Sequence, residues 1–205
     1  MIARRFLAAL LLVSALPTLL FAQKPSGEYA SLLAALKAGN TSVDYTRLRL
    51  SYADSPERKA AKDTSDAETR MIASINAKDF TGALTQAETV LDAEYVNLDA
   101  HFAAFIANRE LGNAEKSGFH RAVFRGLLDS IRNSGDGKTT ETAWVVISVH
   151  EEYVMLRVLG FKPSGQALLH KDGHSYDEMK VKSAQDGSEQ TLYFNVDIPF
   201  SHYGF

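Results

Sequence analysis

Asn133-Ser134-Gly135-Asp136-Gly137-Lys138 is the stretch on which the fold turns. Upstream of it, apolar residues recur at helical spacing for more than a hundred positions. Downstream, Thr142-Ala143-Trp144-Val145-Val146-Ile147-Ser148-Val149 is β-branched, aromatic and almost continuously apolar, the pattern of a strand covered on both faces. A chain that changes period once, at a glycine-rich break, reads as α+β: antiparallel helical hairpins first, a small sheet unit second.

On the downstream side, Glu151 to Leu159 reads as a short helix with Tyr153, Leu156 and Leu159 inward, closed by Gly160 and followed by Pro163. Gln166 to Lys171, His174 to Lys182 and Thr191 to Ile198 read as strands. Asp172-Gly173 joins the first pair and a loop with Asp186-Gly187 the second, both hairpin signals. The predicted β-α-β-β-β unit, residues 135–205, is small for a self-sufficient core and is expected to pack on the helices as one integrated domain.

On the upstream side, residues 23–134 form the helical-hairpin region. Short helices are expected over Glu28 to Ala38 and after Asp44, with Pro56 marking an exit and Glu57 to Asp66 an exposed connection. Ser65-Asp66-Ala67-Glu68 has capping-box spacing ahead of a helix through Ile72 and Ile75. The next helix carries Phe80, Ala83, Leu84, Ala87, Val90 and Leu91 on one stripe. Leu98 to Leu111 follows, with Leu98, Phe102, Phe105 and Ile106 inward, and Gly112 and Asn113 separate it from a last helix facing in through Phe119, Val123, Leu127, Leu128 and Ile131. Asp66 and Asn97 start the first helices of the two hairpins, and Asp79 and Asn113 the second. Both spacings lie close to the ~34-residue tetratricopeptide period. The signature residues of that repeat do not superpose, so a tetratricopeptide-like array and a generic pair of hairpins both fit.

Residues 1–22 have the layout of a secretory signal peptide: Arg4 and Arg5, an apolar run from Phe6, Pro17, and a cut expected after Ala22. The run is too short and interrupted for a spanning helix, which usually needs ~20 apolar residues, so no stable membrane insertion is expected after cleavage. An exported protein, periplasmic or secreted, is the expectation. Removing the leader moves the formal charge from -3 to -5. The chain has 205 residues, 45% of them apolar, and no cysteine. Disulfides, thiolate metal sites and cysteine nucleophiles are excluded, and an exported fold must then hold by packing alone. Lys and Arg are interspersed with Asp and Glu, which disfavours nucleic-acid binding.

Every familiar catalytic motif fails at a decisive position. Gly137-Lys138-Thr139 resembles the end of a P-loop, but Arg132 stands where the first glycine belongs and the loop follows a helix. His150-Glu151 opens like a zinc-protease helix, but Val154 occupies the second ligand position. Gly173-His174-Ser175-Tyr176-Asp177 lacks the closing glycine of a nucleophile elbow. Neither a metal nor a cofactor is implied. The densest polar cluster is His170 to Asp177. A two-residue turn at Asp172-Gly173 pairs Lys171 with His174 and His170 with Ser175. The two histidines then lie on opposite faces, and His170 is expected diagonal to Asp177, within reach of a hydrogen bond. Asp136, Lys138, His170, His174, Tyr176 and Asp177 are the candidate ligand or partner surface, while His101 and His120 fall within helical stripes as packing residues.

Several of these stretches resemble a bacterial domain-of-unknown-function family numbered 4919. The likeness rests on Asp44-Tyr45-Thr46, Leu48-Arg49-Leu50 and Tyr52, and on Gly135-Asp136-Gly137-Lys138 followed by Glu141-Thr142-Ala143 and Val145 to Val149. It continues through Glu151-Glu152-Tyr153, Leu159-Gly160, Lys171 to Asp177 and Leu192-Tyr193-Phe194. The resemblance implies export signals in many members, an unassigned biochemical role and a helical part that forms one unit with the sheet. His150 departs from it, since the family tends to have an acidic residue there.

The resulting expectation is an exported, non-enzymatic interaction or accessory protein with a protein partner in the cell envelope. The alternative is an envelope hydrolase or small-ligand binder using His170, His174 and Asp177 with the Asp136 to Lys138 loop.

Overall fold

The computed structural model describes residues 27–202; the expected leader and its cut after Ala22 lie outside the described residues. In chain order the elements are α1 (Glu28–Lys37), α2 (Tyr45–Ala53), α3 (Pro56–Lys59), α4 (Ser65–Asn76), α5 (Phe80–Ala93), α6 (Leu98–Glu110), α7 (Ala114–Arg132), β1 (Trp144–Val145), α8 (Val149–Leu159), β2 (Phe161–Lys171), β3 (His174–Ser183), β4 (Glu189–Asn195) and α9 (Asp197–His202). The class is α+β.

Local chemistry sets most boundaries. Asp44, Asp79 and Asn97 each accept a hydrogen bond from the backbone N–H three residues on, capping α2, α5 and α6, at a typical gain of about 1 kcal/mol apiece. Two boundaries differ from expectation. Pro56 opens α3 instead of ending α2: it takes the first helical position, where its missing N–H costs nothing, and Ser55 caps the turn. Helix α4 starts one residue early, because Asp63 accepts from the Ser65 N–H and Thr64 takes the cap position, its hydroxyl donating to Glu68.

The four long helices α4, α5, α6 and α7 each pack on the next, and α4 also reaches α6. The buried face shared by α4, α5 and α6 is built mostly of small side chains. Ala67, Met71, Ala87, Val90, Leu91, Ala100, Ala103 and Ala104 form one cluster among α4, α5 and α6. The stripe expected on α6 is displaced: only Leu98 of the four large residues is buried, Phe102 is 42% exposed, and Ala100, His101, Ala104, Ala107 and Asn108 face inward. Ile72 on α4 is likewise turned out and Met71 in. Helix axes that approach through alanine leave no room for a phenyl ring between them, so the large residues move to the flank.

A second, larger core draws on both sides of residue 134. Leu36 of α1, Leu48 and Tyr52 of α2, Leu127 and Ile131 of α7, Met155 of α8 and Met179 and Phe194 of the sheet belong to one cluster. The sheet order is β1-β4-β3-β2, with β1 parallel to β4 and the other pairs antiparallel. The strand expected over Thr142 to Val149 shrinks to Trp144–Val145. The preceding loop takes the Thr142 carbonyl, and Ile147 turns its N–H to Glu151 as α8 begins at Val149. Val146 and Ile147 are fully buried all the same, which explains an apolar run longer than its strand.

The hairpin follows the expected register, Lys171 against His174 and His170 against Ser175. Asp172 and Gly173 both have positive φ, 52° and 82°, the two-residue turn that matches strand twist. Ser175, Asp177, Met179 and Val181 alternate on the buried face of β3, and α8 packs against β2.

Candidate functional site

Three consecutive side chains at the start of α8 fix it to three other elements. Glu151 pairs with Arg49 of α2: Arg49 Nη1 lies 2.7 Å from Glu151 Oε2, with side chains 1% and 4% exposed. The guanidinium also donates to the Ser130 hydroxyl and the Val145 carbonyl, and the same Glu151 oxygen accepts from the Ile147 N–H. Burial pushes the Glu151 carboxyl up, and Arg49 and the Ile147 N–H pull it back. On one flank, His150 Nε2 lies 3.1 Å from Asp99 Oδ2 of α6, and Arg157 closes on the other Asp99 oxygen. Burial opposes the Asp99 charge, yet these two partners hold its carboxyl below the ordinary value, while Asp99 raises His150. On the other flank, Glu152 is completely buried against Asp177 of β3: as a carboxylate it meets no donor among the described residues, and as an acid it can donate to Asp177. Burial first, then Asp177 and Glu151, push it up to about 9. At neutral pH Glu152 is therefore a carboxylic acid beside the Asp177 carboxylate.

The six residues singled out from sequence make separate sets of contacts. Asp136 and Lys138 serve their own loop: the Asp136 carboxylate accepts from the Thr142 hydroxyl and the Lys138 N–H. Around them, Asp136 and Gly137 N–H donate to the Thr142 carbonyl, Trp144 Nε1 donates to Gly135 O, and Tyr193 N–H donates to Gly137 O. Gly137 has φ 70°, and a Cβ there would lie 2.6 Å from the Trp144 ring. The Gly-Asp-Gly-Lys motif is a clamp holding this loop against β1 and β4.

His174 bonds Asp197 at 2.6 Å, and Asp197 also accepts from the Ser175 N–H and the Asn195 amide; this joins the hairpin to α9. His170 points to the opposite face. Its Nδ1 is 3.1 Å from the Ser175 hydroxyl, and Asp177 accepts from Gln166 Nε2 at 2.6 Å instead of from His170. Among the described residues no carboxylate bonds the other ring nitrogen of His170, so a Ser-His pair is present without the orienting acid of a hydrolytic triad. Tyr176, nearly buried, sits edge-on to His174. The structure does connect hairpin and loop at one point, since Lys171 Nζ donates to Thr140 and Glu141.

Sequence reading passed over Arg49, Asp99, Glu151 and Glu152. A signal existed for three of them: an arginine between two leucines on a short helix, and adjacent glutamates on a largely apolar one. His101 and His120 do pack within the helices. His101 Nε2 is 2.9 Å from the Tyr95 carbonyl, which accepts only, so that nitrogen carries the proton. His101 Nδ1, 3.0 Å from His120 Nδ1, must then accept and His120 donate. Burial brings them down to about 3 and about 4, so the pair is neutral. No group of three or more His, Asp or Glu is arranged to hold a metal ion among the described residues, nor is any of their helices long and apolar enough to cross a membrane.

Apolar surface is concentrated elsewhere. A cavity of about 250 Å³ opens between α4, α6 and α8, floored by Met71 and Ala103, walled by Ile72, Ile75 and Phe102, and rimmed by the Asp99–Arg157 pair. Ile72 and Phe102 are 53% and 42% exposed.

No curated protein and no solved structure matches the chain. A family model does, over residues 26–203, and its description is a domain of unknown function, DUF4919. That match runs through the helices, the clamped loop and the hairpin without a break, and the chain belongs to the DUF4919 family.

Proposed function

We propose that this chain is an exported, non-enzymatic interaction or accessory protein whose tetratricopeptide-like helical hairpins present an apolar groove to a protein partner in the cell envelope. The observation that carries the reading is the groove between α4, α6 and α8, where Ile72 and Phe102 stay exposed over a floor of Met71 and Ala103. The groups with chemical potential, by contrast, are committed to one another: Arg49 to Glu151, His174 to Asp197, Asp136 to its own loop. Exposed aromatic and aliphatic side chains around a concavity favour protein contact over turnover.

The test places a photo-crosslinking residue at Phe102 and, as a control, at Leu111, which is equally exposed on the turn after α6. Expressed with its leader, the protein should be recovered from the envelope fraction with its N-terminus near Gln23, and should crosslink to the same partner from position 102 but not 111. Ile72→Glu, on the wall of the same groove, should abolish that product. A mature protein that crosslinks to nothing from position 102 while hydrolysing a defined substrate overturns the proposal.

A further inference from the structure

The sheet ends on an edge that is complementary to itself. Strand β2 pairs only with β3 among the described residues. Lys171 and His174 flank the two-residue turn and form a hydrogen-bonded pair, so along the ladder Leu169, Ala167 and Gly165 bond to β3, whereas the backbone N–H and C=O of Gln166, Leu168 and His170 point to the open side. None of these three makes a backbone hydrogen bond beyond the ladder among the described residues. The open window has two definite ends, the bulge between Pro163 and Gly165 and the turn after Lys171. Leu168 stands at its centre, three residues from Gly165 and three from Lys171.

Edges of this kind are normally guarded by charge, proline or a bulge. Between Gly165 and His170 there is no lysine, arginine, carboxylate or proline, and Lys171 at the margin is neutralised by Glu141. Leu168 is 48% exposed, and Tyr153 of α8, 41% exposed, bonds Gln166 through its hydroxyl. Gln166, Leu168 and His170 share that face of β2, and Ala167 and Leu169 alternate onto the other. Apolar surface therefore flanks the open backbone on both sides.

We infer that the occupant is a second copy of this chain, added antiparallel to β2 about a two-fold axis at Leu168. In that register Leu168 pairs with its mate, Gln166 with the other copy's His170, Ala167 with Leu169 and Gly165 with Lys171, so the window meets itself end to end. Every outward N–H and C=O finds a partner, and no two free charges are brought face to face. Moving the axis to Ala167 or Leu169 runs one end into the mate's bulge or turn and leaves outward groups unpaired. On the α8 side the two Leu168 side chains meet, flanked by the Tyr153–Gln166 pair of one copy and the His170–Phe200 contact of the other. The contact is isologous and closes on itself, joining two four-stranded sheets into one. A foreign strand could gain the same backbone bonds, but only a second copy necessarily matches the length, centre and uncharged character of the window. The pairing uses none of the residues that line the groove between α4, α6 and α8.

A strand pair with so few side chains belongs to the small class of interfaces, under about 1,200 Å², so the dimer is expected at micromolar concentrations. Sedimentation velocity of the mature protein should show it. Leu168→Lys, which sets two like charges on the axis and removes the apolar contact, should weaken it about tenfold or more. Register is read with introduced cysteines, since the chain has none of its own. Residues opposed in a hydrogen-bonded pair lie ~5.5 Å apart at Cα, within disulfide reach. Leu168→Cys alone should therefore form a disulfide-linked dimer under mild oxidation. Gln166→Cys and His170→Cys should not link to themselves but should link to each other when the two variants are mixed. All three positions are exposed, and circular dichroism checks that the variants stay folded. A mature protein that stays monomeric at micromolar concentrations overturns the inference, as does Gln166→Cys linking to itself as readily as Leu168→Cys. So does a monomer that binds a synthetic peptide of alternating valine and threonine and loses it in Leu168→Lys, which would make a foreign strand the occupant.

Discussion

The helices from Ser65 to Asn108 and the unit from Trp144 to Asn195 solve burial in opposite ways. Between α4, α5 and α6 the interface is mostly alanine, with His101 and Asn108 admitted to the interior and Phe102 left outside. Around α8 and the sheet the interior is large and apolar, Met155, Met179, Leu192 and Phe194, and the polar intruders are carboxyl groups. Close backbone approach makes the first region intolerant of added volume. Low dielectric around unpaired carboxyls makes the second sensitive to charge.

The sharpest way to break this contrast is at the seam. Arg49 is the cation that neutralises Glu151 and ties α2 to α8, Ser130 and Val145. Arg49→Ala should cost about 3–5 kcal/mol in urea unfolding, the usual penalty for stranding one buried charge. Arg49→Met with Glu151→Leu should recover most of that loss, because the pair itself need not stabilise more than apolar residues of similar size. A small effect of Arg49→Ala would mean that Glu151 is held neutral at no cost.

Opposite pH signs are expected next. His101 and His120 have folded values below the ordinary 6.5, so their contribution is complete above 6.5 and is lost as pH falls toward 4 and 3. For His101, fully buried, the slope approaches about 1.4 kcal/mol per pH unit in that window. Glu152 is raised from 4.5 to about 9, so its contribution is complete below 4.5 and is lost as pH rises through 9. Urea midpoints should fall on both sides. Amide exchange should open α6 and α7 first on the acid limb, and α8 and β3 first on the alkaline one. His101→Gln should flatten the first limb and Glu152→Gln the second; exchange that rises uniformly across the molecule on both limbs would erase the distinction.

Volume comes third. Ala104→Leu should cost about 1–3 kcal/mol by overpacking, while Phe102→Ala, at a half-exposed ring, should cost well under that. The reverse ranking would restore the stripe drawn from large residues alone. Here lies the physical reason why some of the fold was legible and some was not. The hairpin register followed from Asp172-Gly173, because turn chemistry is local and needs two positive φ values. The inward face of α7 followed from Val123, Leu127 and Ile131, because that helix borders a core with room for them. On α6 the same rule failed, since alanine carries too little hydrophobicity to outweigh phenylalanine in a periodic pattern, although it is what permits helices to approach. The candidate site was legible only as residue types. Asp136 and His174 were visible as polar, but their partners, Thr142 and Asp197, are set by tertiary placement, and Glu152 became notable only when β3 delivered Asp177 beside it.

The smallest effect tests the two regions at matched backbone strain. Each contains one non-glycine residue in the left-handed region: Lys78, φ 60°, between α4 and α5, and Asp172, φ 52°, at the hairpin tip. Asp and Asn tolerate that conformation through local hydrogen bonding, and lysine does not. Lys78→Gly should therefore stabilise by up to about 1 kcal/mol, the left-handed penalty less the extra freedom glycine gains in the unfolded chain. Asp172→Asn should change stability by a few tenths of that at most, since the turn already has a suitable residue at that position. Thermal unfolding of the two variants beside the parent protein measures both. A larger gain from Asp172→Asn than from Lys78→Gly would place the strained backbone in the sheet unit, leaving the close-packed helices as the region at ease with its own connections.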